Sequence, residues 1–297
     1  MPDRNPTRDA IVDQLAALAD LPGIRDKADA VREACTRLRF HEALRRRIPE
    51  AAAESRVRGA RASAALDGVD YPLDLVRELT TGARPWPDDL SPDLATLKGA
   101  IAATAESERV ASIVRTAPLQ ALARLHVAAA SPFVHGGGAD VTNALGRPRV
   151  AGEDSAEFVD LGPAPDAAEV SQRLTQLADL IVGASQATDR VPAVVISSIV
   201  HGEVIAVRPF THGNGLVARA LERALIQALG LDPTGVAVPE AGHVANGAVT
   251  YTGSSAAYGK GTAAGVGLWL GQAADAVLKG VAEGERISDA VRAGRLG

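Results

Sequence analysis

Apolar residues along this chain recur three and four positions apart rather than in strict alternation, which is the period of amphipathic helices. Ile11, Leu15 and Leu18 form one stripe, Leu94, Leu97 and Ile101 a second, Leu119, Leu122 and Leu125 a third, and Val170, Leu174, Leu177 and Ile181 a fourth. The pattern predicts an all-α protein. A helix-forming run around residues 31–47 carries Arg32, Arg37, Arg39, Arg45, Arg46 and Arg47 interspersed with Glu33 and Glu42, and reads as a solvated face. Residues 147–161, RPRVAGEDSAEFVDL, place short apolar pieces among turn formers and predict a small β-hairpin between helices. Proline and glycine mark linkers at 82–92, 131–138 and 162–165, the first dividing an N-terminal helical part from a larger C-terminal part. There is no internal repeat.

The segment 192–229 differs in kind. Pro192 opens a helix that carries Val195, Ile199 and Ile205 on its buried side and runs to Val207. Pro209 breaks it, and Gly213-Asn214-Gly215 supplies a backbone able to turn tightly. A second helix follows with Leu221, Leu225 and Leu229, ending at Gly230 with Pro233 shortly after. Unpaired amides and the macrodipole at such a helix start favour an anion, and Arg219, about one turn in, is placed to reach it; phosphate is the natural ligand. A glycine turn before a helix is equally at home as a purely structural feature, so the residues alone leave both readings open.

Composition narrows the surroundings. With 297 residues, 46% of them hydrophobic and 23% charged, the chain can bury a full core. A formal charge of −5 offers no basic excess to neutralise a phosphate backbone, so nucleic-acid binding is disfavoured. One cysteine, Cys35, excludes an internal disulfide and suits a reducing compartment. The start MPDRNPTRDA has no apolar signal core and no run approaches the roughly 20 residues of a membrane span, so a cytoplasmic protein without membrane attachment is expected. His201 reads as a hydrogen-bonded core residue, while His126, His135 and His243 are scattered and form no constellation. No second ligand at a recognised spacing accompanies His212, so no metal site is expected. Ser254, Ser255 and Lys260, in GSSAAYGKG, match neither a nucleophile elbow nor a P-loop.

Residues 201–221, HGEVIAVRPFTHGNGLVARAL, resemble the signature of the Fic (Fido) family, HPFx(D/E)GNGRxxR, preceded by the HxE-like His201-Gly202-Glu203. Leu125-His126 is similar to the family's early helix, 147–161 sits where its substrate-clamping flap would lie, 170–182 resembles the helix after it, and 251–269 the closing helical part. The resemblance implies a Fic-like helical domain over 117–280 with a hairpin flap, an N-terminal helical region over 1–116 and a tail over 281–297. In the family the first motif position is a histidine that deprotonates a target hydroxyl; here it is Arg208, and arginine cannot serve as a base. The acid that binds a divalent ion corresponds to His212, a poor magnesium ligand, and a phosphate-binding arginine corresponds to Leu216. Pro209, Phe210, Gly213, Asn214, Gly215 and Arg219 remain. Within 61–68, Ser63, Asp67 and Gly68 resemble the family's inhibitory pattern (S/T)xxxE(G/N), which implies an ion pair between Asp67 and Arg219.

By this resemblance the chain is a degenerate Fic-like protein without standard AMP transfer. It would bind ATP or another phosphate-bearing ligand through Arg208, Gly213, Asn214, Gly215 and Arg219, or a protein segment along 147–161, with Ser63, Asp67 and Gly68 regulatory. The alternative is a divergent nucleotidyl- or phosphate-group transferase using His212, or a substrate group, as base.

Overall fold

A computed structural model describes residues 6–134 and 144–295; His135 and part of the 131–138 linker lie outside them. The described residues form twelve α-helices: α1 Pro6–Ala19, α2 Ile24–Arg39, α3 Ile48–Leu66, α4 Leu73–Thr81, α5 Pro92–Val110, α6 Pro118–Ala130, α7 Ala167–Ala184, α8 Ala193–Val207, α9 Asn214–Ala228, α10 Pro239–Asn246, α11 Ala248–Gly259 and α12 Ala263–Arg292. Local chemistry explains several starts. Ser91 Oγ accepts from the Leu94 amide at the head of α5, Asp166 does the same for Glu169 at the head of α7, and prolines open α5, α6 and α10.

α8 lies at the centre. Every residue from Val194 to Val207 except Glu203 is buried, so this helix is enclosed on all sides rather than along one stripe. α9 packs along it, α5 and α3 flank α9, and α12 joins α2, α10 and α11 around the other side. Trp269 of α12 is fully buried and donates its indole N–H to the Ser198 carbonyl at 2.7 Å. Small residues permit the close approach: α10 passes α12 so tightly that a Cβ on Gly242 would fall 1.7 Å from the Ala276 carbonyl oxygen. The buried alanines of α3, among them Ala51, Ala60 and Ala64, serve the same end, since a helix face without long side chains brings its neighbours' backbones nearer.

Two expectations change. Leu119 stands 46% exposed, so the stripe on α6 is carried by Leu122 and Leu125 with Ala121 and Ala129 instead. The hairpin expected at 147–161 is absent, and no strand occurs among the described residues. Its backbone is committed elsewhere. Pro148 has no amide hydrogen, the Arg149 amide donates to the Pro209 carbonyl, and the Val150 amide donates to the Glu153 carboxylate. Arg147 clasps that carboxylate with both ends of its guanidinium, at 2.8 and 2.7 Å, which folds 147–153 into a compact turn with no partner strand. The arginines between Arg32 and Arg47 are exposed, with α2 ending at Arg39. Among the described residues no helix is long and apolar enough to cross a membrane.

Candidate anion-binding site

α8 ends where Arg208 turns left-handed, at φ 45°, a conformation that costs a non-glycine residue roughly 1 kcal/mol or more. Bonds from the 149–165 segment hold it there. Arg208 Nη1 donates to the carbonyls of Gly162 at 2.8 Å and Phe158 at 3.2 Å, Nη2 donates to that of Pro163 at 2.9 Å, and the Arg208 carbonyl accepts from Arg149 Nε at 2.8 Å. Burial and the neighbouring charge of Arg149 push the Arg208 guanidinium down from its ordinary pKa without removing its role as a pure donor. Arg208 therefore faces backbone carbonyls of this chain.

Gly213 follows at φ 80°, the N-cap of α9, and Asn214 closes the loop. The Asn214 side-chain oxygen accepts from the Phe210 amide at 2.9 Å while its Nδ2 donates to the Phe210 carbonyl at 2.8 Å. With the loop so shaped, the amides of Gly213 and Asn214 point outward from the helix start. A carboxylate fills that cradle. Glu157 accepts from the Gly213 amide at 2.6 Å, from the Asn214 amide at 2.8 Å and from Asn214 Nδ2 at 2.7 Å. Backbone donors, an amide side chain and the helix dipole together make an anion site, and here the anion belongs to the chain. Burial, then the nearby charge of Asp67, push the Glu157 carboxyl up from its ordinary value, against the three hydrogen bonds that favour ionisation.

Glu157 also borders a cavity of about 420 Å³ lined by Asp67, Phe158, His212, Gly213 and Leu216. His212 is exposed at its rim, its ring stacked near Phe133 with centroids 6.2 Å apart. Leu216 is 2% exposed and packed into the core. His126 supports the loop from below: its ring stacks on Phe210 at 3.7 Å and accepts from the Gly146 amide, while burial holds its pKa down to about 4.

One turn further along α9, Arg219 is fully buried. It donates to Asp67 Oδ2 at 2.8 Å, to Ser63 Oγ at 2.8 Å, to the Ser63 carbonyl at 3.0 Å and to the Tyr251 hydroxyl at 3.3 Å. Asp67 reaches it because α3 ends at Leu66 and Gly68 turns away at φ 86°. Gly215 makes room for the pair, since a Cβ there would lie 2.9 Å from both Arg219 Nη1 and Asp67 Oδ1. Ser63, Asp67 and Arg219 thus meet, as do Gly213 and Asn214, whereas the Arg208 guanidinium is taken up by carbonyls of the 157–163 segment.

The hydrogen bonds continue inward. Tyr251 OH meets His201 Nε2 at 2.9 Å, His201 Nδ1 donates to Glu222 Oε2 at 2.8 Å, and His243 Nε2 donates to the same oxygen at 3.0 Å. Burial alone would raise the Glu222 carboxyl, but the two imidazoles hold it down at about 2. His243, scattered in the sequence, is part of a constellation after all. Sequence reasoning missed Glu157, Glu222, His243 and Tyr251. The two intervals 201–222 and 222–243 match no local motif, and Glu157 is one acid among four between 153 and 160.

The helical arrangement around this loop is the Fic fold. No family model matches the chain, and no curated protein matches it by sequence. Solved structures do match in three dimensions. A fragment of Caenorhabditis elegans Fic-1, residues 134–508, aligns with a TM-score of 0.61 at 16% identity over 97% of this chain and 75% of that one. A point variant of that fragment gives 0.58 at 16% over 86% and 70%. A Fic-domain-containing signalling protein from Bacteroides thetaiotaomicron gives 0.60 at 12% identity over 89% of this chain and 98% of the other.

Proposed function

We propose that this protein is a Fic-fold module that binds a phosphate-bearing ligand, such as a nucleotide, at the 213–214 cradle and does not carry out standard AMP transfer. The observation that carries this reading is the Glu157 carboxylate on the Gly213 and Asn214 amides, because a site that grips a carboxylate with three donors is built for an anion. Arg208 in the base position cannot accept a proton, and His212 lies exposed at the cavity rim rather than in the base position. In the resting state Glu157 holds the cradle closed; a phosphate with more charge and more acceptor oxygens displaces it. A protein segment seated along 147–161 remains a second class of partner, through side-chain contacts at exposed Val150 and Val159 rather than strand addition, since the Arg149, Val150 and Glu153 amides are already paired within this chain.

Titration calorimetry with ATP on the wild-type chain and on Glu157→Ala tests the binding. Affinity at least about tenfold tighter in the variant is expected, because the internal competitor is gone. Undetectable binding to both overturns the anion reading. Mass spectrometry after incubation with labelled ATP and cell extract tests the divergent-transferase alternative: a nucleotide adduct on any protein, lost in His212→Ala, would overturn the non-catalytic reading.

A further inference from the structure

Behind the cradle, α8, α9 and α10 bring His201, Glu222 and His243 to one point, with their ligand-capable atoms within 4.8 Å of one another and all three side chains buried. His201 Nδ1 and His243 Nε2 both face Glu222 Oε2, at 2.8 and 3.0 Å. Two nitrogens and an oxygen in such contact need either a hydrogen on each facing nitrogen or a metal ion among them. A second observation bears on which. Two oxygens at this cluster, Glu222 Oε1 and Gln272 Oε1, are buried without any hydrogen-bond partner, an expensive state for a polar atom. Gln272 presents its nitrogen to His243 Nδ1 at 3.2 Å. Turning that amide over places Oε1 on His243 Nδ1, moves the ring proton there, and frees Nε2 as a lone-pair donor toward Glu222. On the other flank, with the ring hydrogen on His201 Nε2 the Tyr251 hydroxyl oxygen accepts a hydrogen bond from it, which leaves Nδ1 free. An oxygen on the outer nitrogen of each imidazole is the usual support of a metal-binding histidine.

We propose that His201, Glu222 and His243 form a binding site for a divalent transition-metal ion of the zinc class. His201 Nδ1, His243 Nε2 and the Glu222 carboxylate are the ligands; Oε2 faces both nitrogens, and the unpartnered Oε1 is free to complete a bidentate grip. Two imidazoles and a carboxylate suit zinc and disfavour magnesium or calcium, which take oxygen ligands. Both rings change tautomer and no proton is lost. Tetrahedral ligands at about 2.0–2.1 Å from zinc lie about 3.3 Å apart, so Glu222 Oε2, now 2.8 and 3.0 Å from the two nitrogens, needs to draw back from them by only a few tenths of an ångström. All three ligands are shut off from solvent, which makes the site a structural clamp across three helices rather than a reaction centre. It stands apart from the phosphate reading above, since neither needs the other.

The test is elemental analysis of the full chain, purified without a metal-affinity tag and dialysed, before and after equilibration with zinc. About one zinc per chain is expected, with stoichiometry at least about tenfold lower in His243→Gln and in Glu222→Gln. Cobalt(II) in the wild-type chain reads the ligands without any variant: visible bands of a tetrahedral nitrogen and oxygen set are expected. Less than about a tenth of an ion per chain after zinc equilibration overturns the site. So does an octahedral all-oxygen cobalt spectrum, or a full equivalent retained in both variants as folded proteins.

Discussion

The first and second turns of α9 both handle negative charge, in opposite ways. In the first, the amides of Gly213 and Asn214 hold Glu157, a half-buried side chain on an irregular segment beside a cavity. In the second and the start of the third, Arg219 and Glu222 are sealed among Ser63, Tyr251, His201 and His243 from four other helices and Asp67 just past the end of α3. Ordinary helix-end donors anchored to a loop make a contact that a ligand can replace, because water and phosphate satisfy them as well as a carboxylate does. Buried charges admit no such exchange. On the proposed reading the first turn is the place for reversible binding, whereas the second is a fixture of the core, even though the arginine there is the residue that matches a phosphate-binding motif.

The contrast can be broken by substitution, and Arg219→Met should be the most damaging. It leaves Asp67 without its cation and Tyr251 and Ser63 without a donor, and should cost about 3–5 kcal/mol in urea unfolding. Glu222→Gln comes next, at about 2 kcal/mol, because the amide weakens two charge-assisted bonds from buried imidazoles. Gly215→Ala should cost about 1 kcal/mol by pressing on the Asp67 to Arg219 pair, read as a lowered thermal midpoint. If it costs nothing, that pair has room to shift and the second turn is less rigid than described.

Glu157→Gln sharpens the comparison through pH. The folded carboxyl is raised above its unfolded value, so in the window between the two the folded state holds more protons, and stability falls as pH rises through it. The difference between wild type and Glu157→Gln should therefore show a downward slope beginning at the ordinary carboxyl pKa, with the wild type losing ground, and flatten once pH exceeds the raised folded-state pKa. An opposite slope would mean that the three hydrogen bonds outweigh burial. His212→Ala should move stability least, within about 0.5 kcal/mol, because its ring is exposed.

The apolar period of three and four made the helices legible: Val170, Leu174, Leu177 and Ile181 are all buried on α7, and α8 and α9 break at Arg208 and Gly213 where Pro209 and the glycines require it. The left-handed start at Gly213 was also readable, since few residues besides glycine adopt that backbone cheaply. The hairpin was not, because the choice between a strand ladder and a loop at 147–161 depends on Arg149 and Arg208 taking carbonyls from across the fold. Likewise nothing local marks Glu157 as the acid that enters the cradle, or sets His243 beside His201. What the sequence determined by itself is therefore periodic and local: helices, their caps and the loop whose amides want an anion. Which anion arrives, and which charges end up paired in the interior, only the tertiary structure decided, because hydrogen bonds and ion pairs act over about 3 Å and residues that distance apart in space lie far apart along the chain.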